Sequence, residues 1–408
     1  MRDSGRLAAA IAVLEDITGR HKPVRLALKA WGESARYAGA KDRAFVSGLV
    51  LDSLRGRRSL AWRMGDENWR SVVLATARFA WDWDLERLTA AAADEHGPGV
   101  LSTVETERLE SPVSLVGALA PVRGDFPDWL APHMARAFGD GAAEEGVALA
   151  ERAPIDVRIN TLKTDPERGL RALSPLGAAP LGVLSSALRI AAPAAAERSA
   201  PIETLPEFAK GWFEIQDLGS QIAAAAGGEI ANRQVLDFCA GGGGKTLALA
   251  AAMANTGQLF AYDADARRLA DTQRRAQRAG VRNLQVRSPL RPDALSGLER
   301  HMDLVFVDAP CTGSGVWRRH PDAKWRLTPE QLARRMAEQD AVLAAAQAFV
   351  KPGGRLVYVT CSLFCEENED RVACFLAGTP DFAALEPFRR LTPRSAGTDG
   401  FFIAVLQR

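Results

Sequence analysis

Cysteine is scarce in this sequence. Only 5 of the 408 residues are cysteine, and all five lie in the second half of the chain. Their odd number and wide spacing exclude the disulfide framework of a small secreted protein. Free thiols in a reducing compartment fit the pattern better. We therefore predict a cytoplasmic protein in which one or two of the thiols are reactive.

Long apolar runs are also absent. No stretch approaches the roughly 20 apolar residues that a helix needs to cross a bilayer. The apolar run Leu7–Leu14 is followed at once by Glu15 and Asp16. This arrangement predicts an amphipathic first helix rather than a signal peptide, and no membrane partner.

A strong overall charge is missing too, but the charges are unevenly distributed. The net charge is +1, yet residues 267–291 carry eight arginines against a single acid, Asp271. Such a stretch can form a binding surface for a polyanion such as RNA. The alternative is a solvated helix face with salt bridges. Charge alone leaves both open.

The length predicts two or three domains, and the sequence pattern changes twice along the chain. Residues 1–152 show apolar positions at helical spacing, as in Phe45–Leu54, and predict an all-α domain. Residues 153–228 contain short alternating segments such as Val157–Asn160 and predict a small α/β connecting subdomain. Residues 229–408 alternate strands with helices and predict an α/β fold with a doubly wound, mostly parallel sheet.

Strands and helices of the third part can be placed more closely. The predicted strands are Val235–Phe238, Leu259–Tyr262, Asn283–Val286, Leu304–Val307, Arg355–Thr360 and Phe401–Leu406. The main predicted helices are Thr246–Ala254, Arg267–Ala279 and Pro329–Val350. Ligands of such sheets bind beyond the carboxyl ends of the strands. The residues that directly follow strands one, two, four and five are therefore the site candidates.

A glycine-rich turn, Asp237–Thr246, follows the first strand and opens a helix. Cys239 stands where a phosphate-binding P-loop needs its first glycine, and Thr246 occupies the third glycine position of the dinucleotide fingerprint. Neither motif is therefore complete. Asp263 ends the second strand, where an acid commonly binds the ribose hydroxyls of an adenosine-type cofactor. The alternative is that it caps the next helix.

Two cysteines follow strands four and five. Cys311 comes three residues after Asp308, and Cys361 comes directly after the fifth strand. In a sheet ordered 3-2-1-4-5 these strands are neighbours, which predicts nucleophilic catalysis with acid assistance. The alternative is that both thiols are small buried apolar groups. We predict no metal site, because no C-x-x-C pair is present and the histidines are scattered.

These motifs carry a resemblance to a known family. Together with Arg318–Trp325 and Glu366–Glu369, they resemble the Nop/Sun family of RNA 5-methylcytosine methyltransferases. The segment Lys41–Trp62 is similar to the NusB-like RNA-binding domain of the bacterial Sun-type 16S rRNA enzymes. The resemblance implies a class I methyltransferase fold, Rossmann-like, with a NusB-like N-terminal domain and RNA as partner. We expect a monomer.

The resemblance implies S-adenosylmethionine as cofactor and a role for each site residue. Asp263 would hold the ribose hydroxyls, and Asp308 would lie near both the methyl donor and the target base. Cys361 would be the nucleophile that adds to cytosine, and Cys311 would help to release the product. The methionine part of the cofactor would be wrapped by Cys239, Ala240, Gly241, Gly242, Gly243, Gly244 and Lys245.

The sequence departs from the family at three places, one of which is Cys365, where the family has proline. The family usually has proline at the position of Gly242 and commonly alanine at Gly241, so four successive glycines predict a floppier turn. After the third strand, Arg287–Leu290 offers no acid for the adenine. Trp317 and Trp325 either stack on RNA bases or pack in a core.

Small-subunit rRNA is the expected substrate, and three other functions stay open. A tRNA cytosine methyltransferase would share the same motifs. A non-catalytic RNA-binding ribosome assembly factor would need neither Cys311 nor Cys361. An ATP-dependent enzyme would use Gly244–Thr246, although Cys239 argues against it.

Overall fold

The computed structural model describes residues 1–195, 197 and 200–408. It forms two compact units. The helical unit contains Met1–Arg152, Trp317–Leu327 and the described part of Pro193–Ser199, and the sheet unit contains Ala153–Ala192, Ala200–Val316 and Thr328–Arg408. The division into three separate domains, with residues 1–152, 153–228 and 229–408, stays a prediction.

The structure describes all of residues 1–152, and they form helices but no strand. The helices are α1 (Asp3–Gly19), α2 (Val24–Ser34), α3 (Ala40–Arg55), α4 (Arg57–Met64), α5 (Trp69–Ala75), α6 (Leu85–Ala93), α7 (Thr103–Glu110), α8 (Ala120–Arg123), α9 (Ala131–Phe138) and α10 (Ala142–Ala150). A π-helical turn, Thr76–Ala80, follows α5, and the chain reverses before α6 where Asp82 has a φ of 54°. The amphipathic first helix is confirmed, because Leu7 and Leu14 of α1 are fully buried.

A small antiparallel sheet opens the sheet unit. In chain order its elements are β1 (Ile155–Ile159), α11 (Pro166–Leu173), β2 (Ala179–Pro180), β3 (Ala187–Ile190), α12 (Pro206–Ala209) and β4 (Phe213–Ile215). The strands are ordered β2-β3-β1-β4. Val157, Ile159 and Phe213 form its buried core.

The large sheet carries the predicted parallel order. Its strands are β5 (Gln234–Asp237), β6 (Gln258–Tyr262), β7 (Leu284–Arg287), β8 (Met302–Asp308), β9 (Val350–Thr360), β10 (Ala383–Ala384), β11 (Arg389–Leu391) and β12 (Phe401–Gln407). They are ordered β10-β12-β9-β8-β5-β6-β7, and β11 pairs with β12. The five parallel strands, β7-β6-β5-β8-β9, are the predicted 3-2-1-4-5 arrangement. The α/β fold class is therefore confirmed.

The remaining helices are α13 (Leu218–Ala225), α14 (Gly244–Ala252), α15 (Ala266–Leu269), α16 (Thr272–Ala279), α17 (Ala323–Arg326), α18 (Pro329–Ala346), α19 (Glu369–Gly378) and α20 (Pro393–Ala396). The single helix predicted over Arg267–Ala279 is wrong, because α15 and α16 are separate. Thr272, the first residue of α16, is fully buried, and its hydroxyl donates to the Gly241 carbonyl. This tertiary contact is invisible to helical periodicity.

The segment Trp317–Leu327 packs within the helical unit although it follows the fourth parallel strand in sequence. The Lys324 ammonium donates to the Arg55 carbonyl at 3.0 Å, and the Trp325 indole donates to the Leu54 carbonyl at 2.7 Å. Trp317 is 1% exposed. It therefore packs as a core residue, which excludes it as a base-stacking surface.

Candidate active site

Four turns meet at the carboxyl edge of the large sheet, as expected for a parallel sheet. We call residues 238–243, between β5 and α14, the cofactor turn. We call residues 309–313 after β8 and 361–364 after β9 the cysteine turns. The fourth turn follows β6 and begins with Asp263. All of them belong to the sheet unit.

Backbone hydrogen bonds and left-handed glycines shape the cofactor turn. The Ala240 N–H donates to the Tyr262 carbonyl, and the Gly243 N–H donates back to the Ala240 carbonyl, both at 2.9 Å. Gly241 and Gly243 have φ values of 53° and 82°, a region where side chains are strained. A Cβ atom built on Gly241 or Gly244 meets no atom within 4 Å, so this side of the turn faces open space.

Asp263 fastens the cofactor turn to the end of β6. Its Oδ2 accepts from the Gly241 N–H and its Oδ1 from the Asp265 N–H, each at 2.9 Å. The side chain that caps α15 is Asp265, which accepts from the Arg267 N–H. Asp263 is 4% exposed, and each carboxylate oxygen accepts one of these two bonds, which leaves lone pairs for further donors.

Asp237, at the end of β5, is an acid that the sequence analysis did not single out. It is fully buried, and its Oδ2 accepts from the Thr246 hydroxyl at 2.6 Å. Its Oδ1 has no hydrogen-bond partner among the described residues. Burial raises the pKa of this carboxyl to about 7. An unpartnered buried oxygen beside an open glycine turn fits a site for a ligand that brings its own donor.

Lys245, at the start of α14, forms a partly buried ion pair with Asp308 at the end of β8. The distance from Nζ to Oδ2 is 2.6 Å. Burial alone would lower the pKa of Lys245, but the charge and hydrogen bond of Asp308, with smaller contributions from Cys361 and Asp237, raise it. Lys245 is therefore a fixed cation near the Cys361 sulfur. The sequence analysis assigned Lys245 only to the cofactor and missed this pairing.

The structure brings the two predicted thiols together. The Sγ atoms of Cys311 and Cys361 are 3.3 Å apart, and both cysteines are free and half-buried. The hydrogen bond with Cys361 and burial raise the pKa of Cys311 well above its ordinary value. Either sulfur can donate in this hydrogen bond, and the raised pKa of Cys311 favours Cys311 as the protonated partner. Cys239, by contrast, packs against the core of the sheet, and burial raises the pKa of its thiol.

Glu367 joins the two cysteine turns and was named in the sequence only as part of a motif. Its Oε1 accepts from the Thr312 N–H at 2.8 Å, and its Oε2 accepts from the hydroxyls of Thr312 and Ser362 at 2.5 Å. The Gln339 amide donates to Oε1 at 3.1 Å. Glu367 is 0% exposed, and burial raises the pKa of its carboxyl. Sequence shows three acids in Glu366–Glu369 but not which one faces the turns.

No metal site accompanies these groups in the part of the chain that the structure describes. There, no group of three or more histidine, cysteine, aspartate or glutamate side chains is placed to hold an ion. No described helix is both long and apolar enough to cross a bilayer.

Fold and site together define a class I methyltransferase. The family model "16S rRNA methyltransferase RsmB/F" matches residues 229–407. The probable ribosomal RNA small subunit methyltransferase B of Synechocystis is 32% identical over 303 residues, 69% of this chain and 67% of that protein. The ribosomal RNA small subunit methyltransferase B of Salmonella typhi is 33% identical over 297 residues, 71% of this chain and 68% of that protein.

One solved structure resembles the whole chain. The crystal structure of PH0851 has a TM-score of 0.74 at 24% identity and covers 100% of this chain and 99% of its own, a likeness in fold. The chain belongs to the Sun-type family of ribosomal RNA small subunit methyltransferases B. The resemblance found in the sequence is thereby confirmed. The cofactor of the family is S-adenosylmethionine, and the open cofactor turn with the unpartnered Asp237 oxygen fits it.

Proposed function

We propose that this enzyme methylates carbon 5 of a cytosine in small-subunit rRNA through a covalent bond between Cys361 and the base. The observation that carries the proposal is the pair of sulfur atoms 3.3 Å apart, at the ends of two neighbouring parallel strands. Carbon 5 of cytosine is too weak a nucleophile to take a methyl group directly. A thiolate that adds at carbon 6 makes carbon 5 electron-rich.

The cofactor site is built by the ends of β5 and β6. Asp263 would accept hydrogen bonds from the ribose hydroxyls, and residues 239–245 would wrap the methionine part. The Oδ1 of Asp237, which has no partner among the described residues, would accept a further donor at the same edge. When bound, S-adenosylmethionine supplies an electrophilic methyl group.

Cys361 forms the first bond, from its Sγ to carbon 6 of the base. The Lys245 cation and the S–H of Cys311 both stabilise the thiolate before it adds. As the thiolate adds, ring nitrogen 3 receives a proton through Asp308, which takes it from the Lys245 ammonium 2.6 Å away, and the proton returns by the same route when Cys361 leaves. This draws the electron pair through the ring and favours addition. Carbon 5 then takes the methyl group.

Cys311 assists the release. Three causes raise the pKa of Cys311 most: its hydrogen bond with Cys361, its burial and the negative charge of Cys361. The two influences of Cys361 disappear once its sulfur is bonded to the base, so Cys311 gives up its proton to solvent water more readily, and this is the one proton that the overall methylation releases. As a thiolate it takes the proton from carbon 5, and the bond between Cys361 and carbon 6 breaks. Cys361 leaves as a thiolate, and the site returns to its starting state.

RNA recognition is proposed for the helical unit. Residues 1–152 resemble a NusB-like RNA-binding domain, and the named relatives act on small-subunit rRNA. The target base must leave its stack before Cys361 can reach carbon 6.

The test is methyl transfer from labelled S-adenosylmethionine to protein-free small-subunit rRNA, followed by nucleoside analysis. Wild type should yield 5-methylcytidine, and Cys361→Ala should yield none. Cys311→Ala should instead accumulate a protein–RNA adduct that survives denaturation. Equal activity of Cys361→Ala would overturn the nucleophile assignment. Label in a different nucleoside would overturn the carbon 5 chemistry, and label only with tRNA would change the substrate.

A further inference from the structure

The carbonyl groups of the cofactor turn are held by side chains of α16. The Thr272 hydroxyl donates to the Gly241 carbonyl at 3.2 Å, and the Arg275 guanidinium donates to the Gly242 carbonyl at 2.5 Å. The three glycines of the turn, Gly241–Gly243, have no side chains that could restrict their own backbone. The backbone on this side of the turn is therefore restrained by residues that lie outside the turn.

Arg275 is itself held in place by Glu214 on β4. Its second terminal nitrogen donates to Glu214 Oε2 at 2.9 Å. The planar guanidinium can bond two acceptors at once, here a carboxylate and a carbonyl. Glu214 also binds Arg278, and its side chain is only 5% exposed. The carboxylate is thus a fixed anchor rather than a mobile surface group.

The strand that carries Glu214 is tied firmly to α16. The Asn160 side-chain amide, directly after β1, donates to the carbonyls of both Gly211 and Ala279, each at 2.8 Å. A Cβ atom built on Gly211 lies 2.1 Å from the Arg278 carbonyl oxygen, so the two backbones touch. β4 pairs with β1 in register, with Glu214 opposite Arg158. The small sheet, α16 and the cofactor turn therefore form one continuous set of contacts.

We propose that Arg275, anchored by Glu214, is a positioning residue that orders the glycine-rich cofactor turn for S-adenosylmethionine. Asp263 and β6 hold one side of the turn, and Arg275 with Thr272 holds the other. Without Arg275 the free turn samples more conformations, and cofactor binding must overcome the cost of ordering it. The small sheet thereby acquires a role in cofactor affinity.

Equilibrium binding of S-adenosylhomocysteine, measured by calorimetry without RNA, tests the proposal. Arg275→Ala should weaken binding about tenfold, since a charge-assisted hydrogen bond to the turn is lost. Arg274→Ala is the matched control. Arg274 is the neighbouring residue of α16, is 78% exposed and pairs with Asp271, and its loss should change affinity less than about twofold. Amide hydrogen exchange of residues 240–244 should rise in free Arg275→Ala and not in the control.

Proline at position 242 provides a rescue. Gly242, unlike Gly241 and Gly243, has no positive φ, and its built Cβ lies 3.6 Å from the Arg275 guanidinium, an ordinary contact. In a Gly242→Pro background, where the ring restricts the turn, adding Arg275→Ala should cost less than about threefold in affinity. Equal losses in both backgrounds, or equal affinities of Arg275→Ala and Arg274→Ala, would overturn the proposal. None of these measurements depends on the cytosine chemistry.

Discussion

The cysteine turns and the cofactor turn occupy the same edge of the sheet but are held in opposite ways. The cysteine turns are fastened to each other by one residue, because the buried carboxylate of Glu367 accepts four hydrogen bonds, three of them from Thr312 and Ser362 in the two turns. The cofactor turn is fastened from outside by Asp263, Thr272 and Arg275. Its own acid, Asp237, has one partnered oxygen and one unpartnered oxygen.

This difference matches what each turn must do. In the proposed mechanism the two thiols need a fixed separation, and a fully hydrogen-bonded buried carboxylate is a stable centre for that purpose. A turn that must accept a ligand keeps open space and an unused acceptor. The same physical element, a buried acid, is therefore structural in one turn and available to a ligand in the other.

Removal of Glu367 should have the largest effect. Glu367→Ala releases Thr312 and Ser362, the neighbours of Cys311 and Cys361 along the chain. We expect kcat to fall by about 100-fold, because a displacement of about 1 Å costs that much in an oriented reaction. Binding of S-adenosylhomocysteine should be unchanged. The measurement is single-turnover methyl transfer alongside calorimetry.

A proximity assay separates this effect from misfolding. A short bis-alkylating fluorophore that joins neighbouring thiols should cross-link Cys311 and Cys361 in wild type and fail in Glu367→Ala. The control is Glu369→Gln, two residues further on, whose carboxylate pairs with Arg390. Cross-linking at the wild-type rate in Glu367→Ala would show that Glu367 does not set the separation of the thiols.

Asp263→Asn should weaken the cofactor turn from its other side. The two oxygens of the Asp263 carboxylate accept hydrogen bonds from two backbone N–H groups, whereas asparagine has one neutral oxygen that can accept them. We expect cofactor affinity to fall by about 10- to 100-fold, as for the loss of hydrogen bonds to a charged group. Asp265→Asn, which removes the charge of the exposed partner of Arg267, should stay within about twofold. Similar losses in both variants would contradict a specific role for Asp263.

Asp237 makes a pH prediction with a definite sign. Burial raises its pKa from 3.8 to about 7 in the folded protein, so the folded chain holds this proton more tightly than the unfolded chain. The resulting stability is full below about pH 4 and is lost as the pH rises to about 7. Asp237→Asn has no carboxyl that titrates here. Its free energy of unfolding should therefore rise relative to that of wild type by about 2–3 kcal/mol between pH 5 and pH 8. Parallel urea-denaturation profiles over that range would contradict the assignment.

The sequence predicts most of the fold because strands and helices follow local periodicity. It locates Asp263, Asp308, Cys311 and Cys361 because each lies at the carboxyl end of a strand or within three residues of it, and topology brings strand ends together. The roles of these residues stay predictions.

The sequence does not reveal side-chain partners that are distant along the chain. Lys245 and Asp308 are 63 positions apart, Thr312 and Glu367 are 55 apart, and Arg275 lies 33 from Gly242. The four glycines predict a floppy turn, because the residues that restrain the turn are distant along the chain. The break between α15 and α16 has the same origin, since it places Thr272 under the turn.

Thr272 should show the smallest effect of the series. Its hydroxyl gives the cofactor turn one neutral hydrogen bond at 3.2 Å, and Thr272→Val removes that bond while it keeps the shape of the buried side chain. Because a neutral bond contributes about 0.5–1.5 kcal/mol, we expect S-adenosylhomocysteine binding to weaken by only about two- to fivefold. Thr272→Ser keeps the hydroxyl and should bind as wild type does. A loss as large as that of Arg275→Ala would mean that α16 restrains the turn through its packing, and not mainly through the guanidinium.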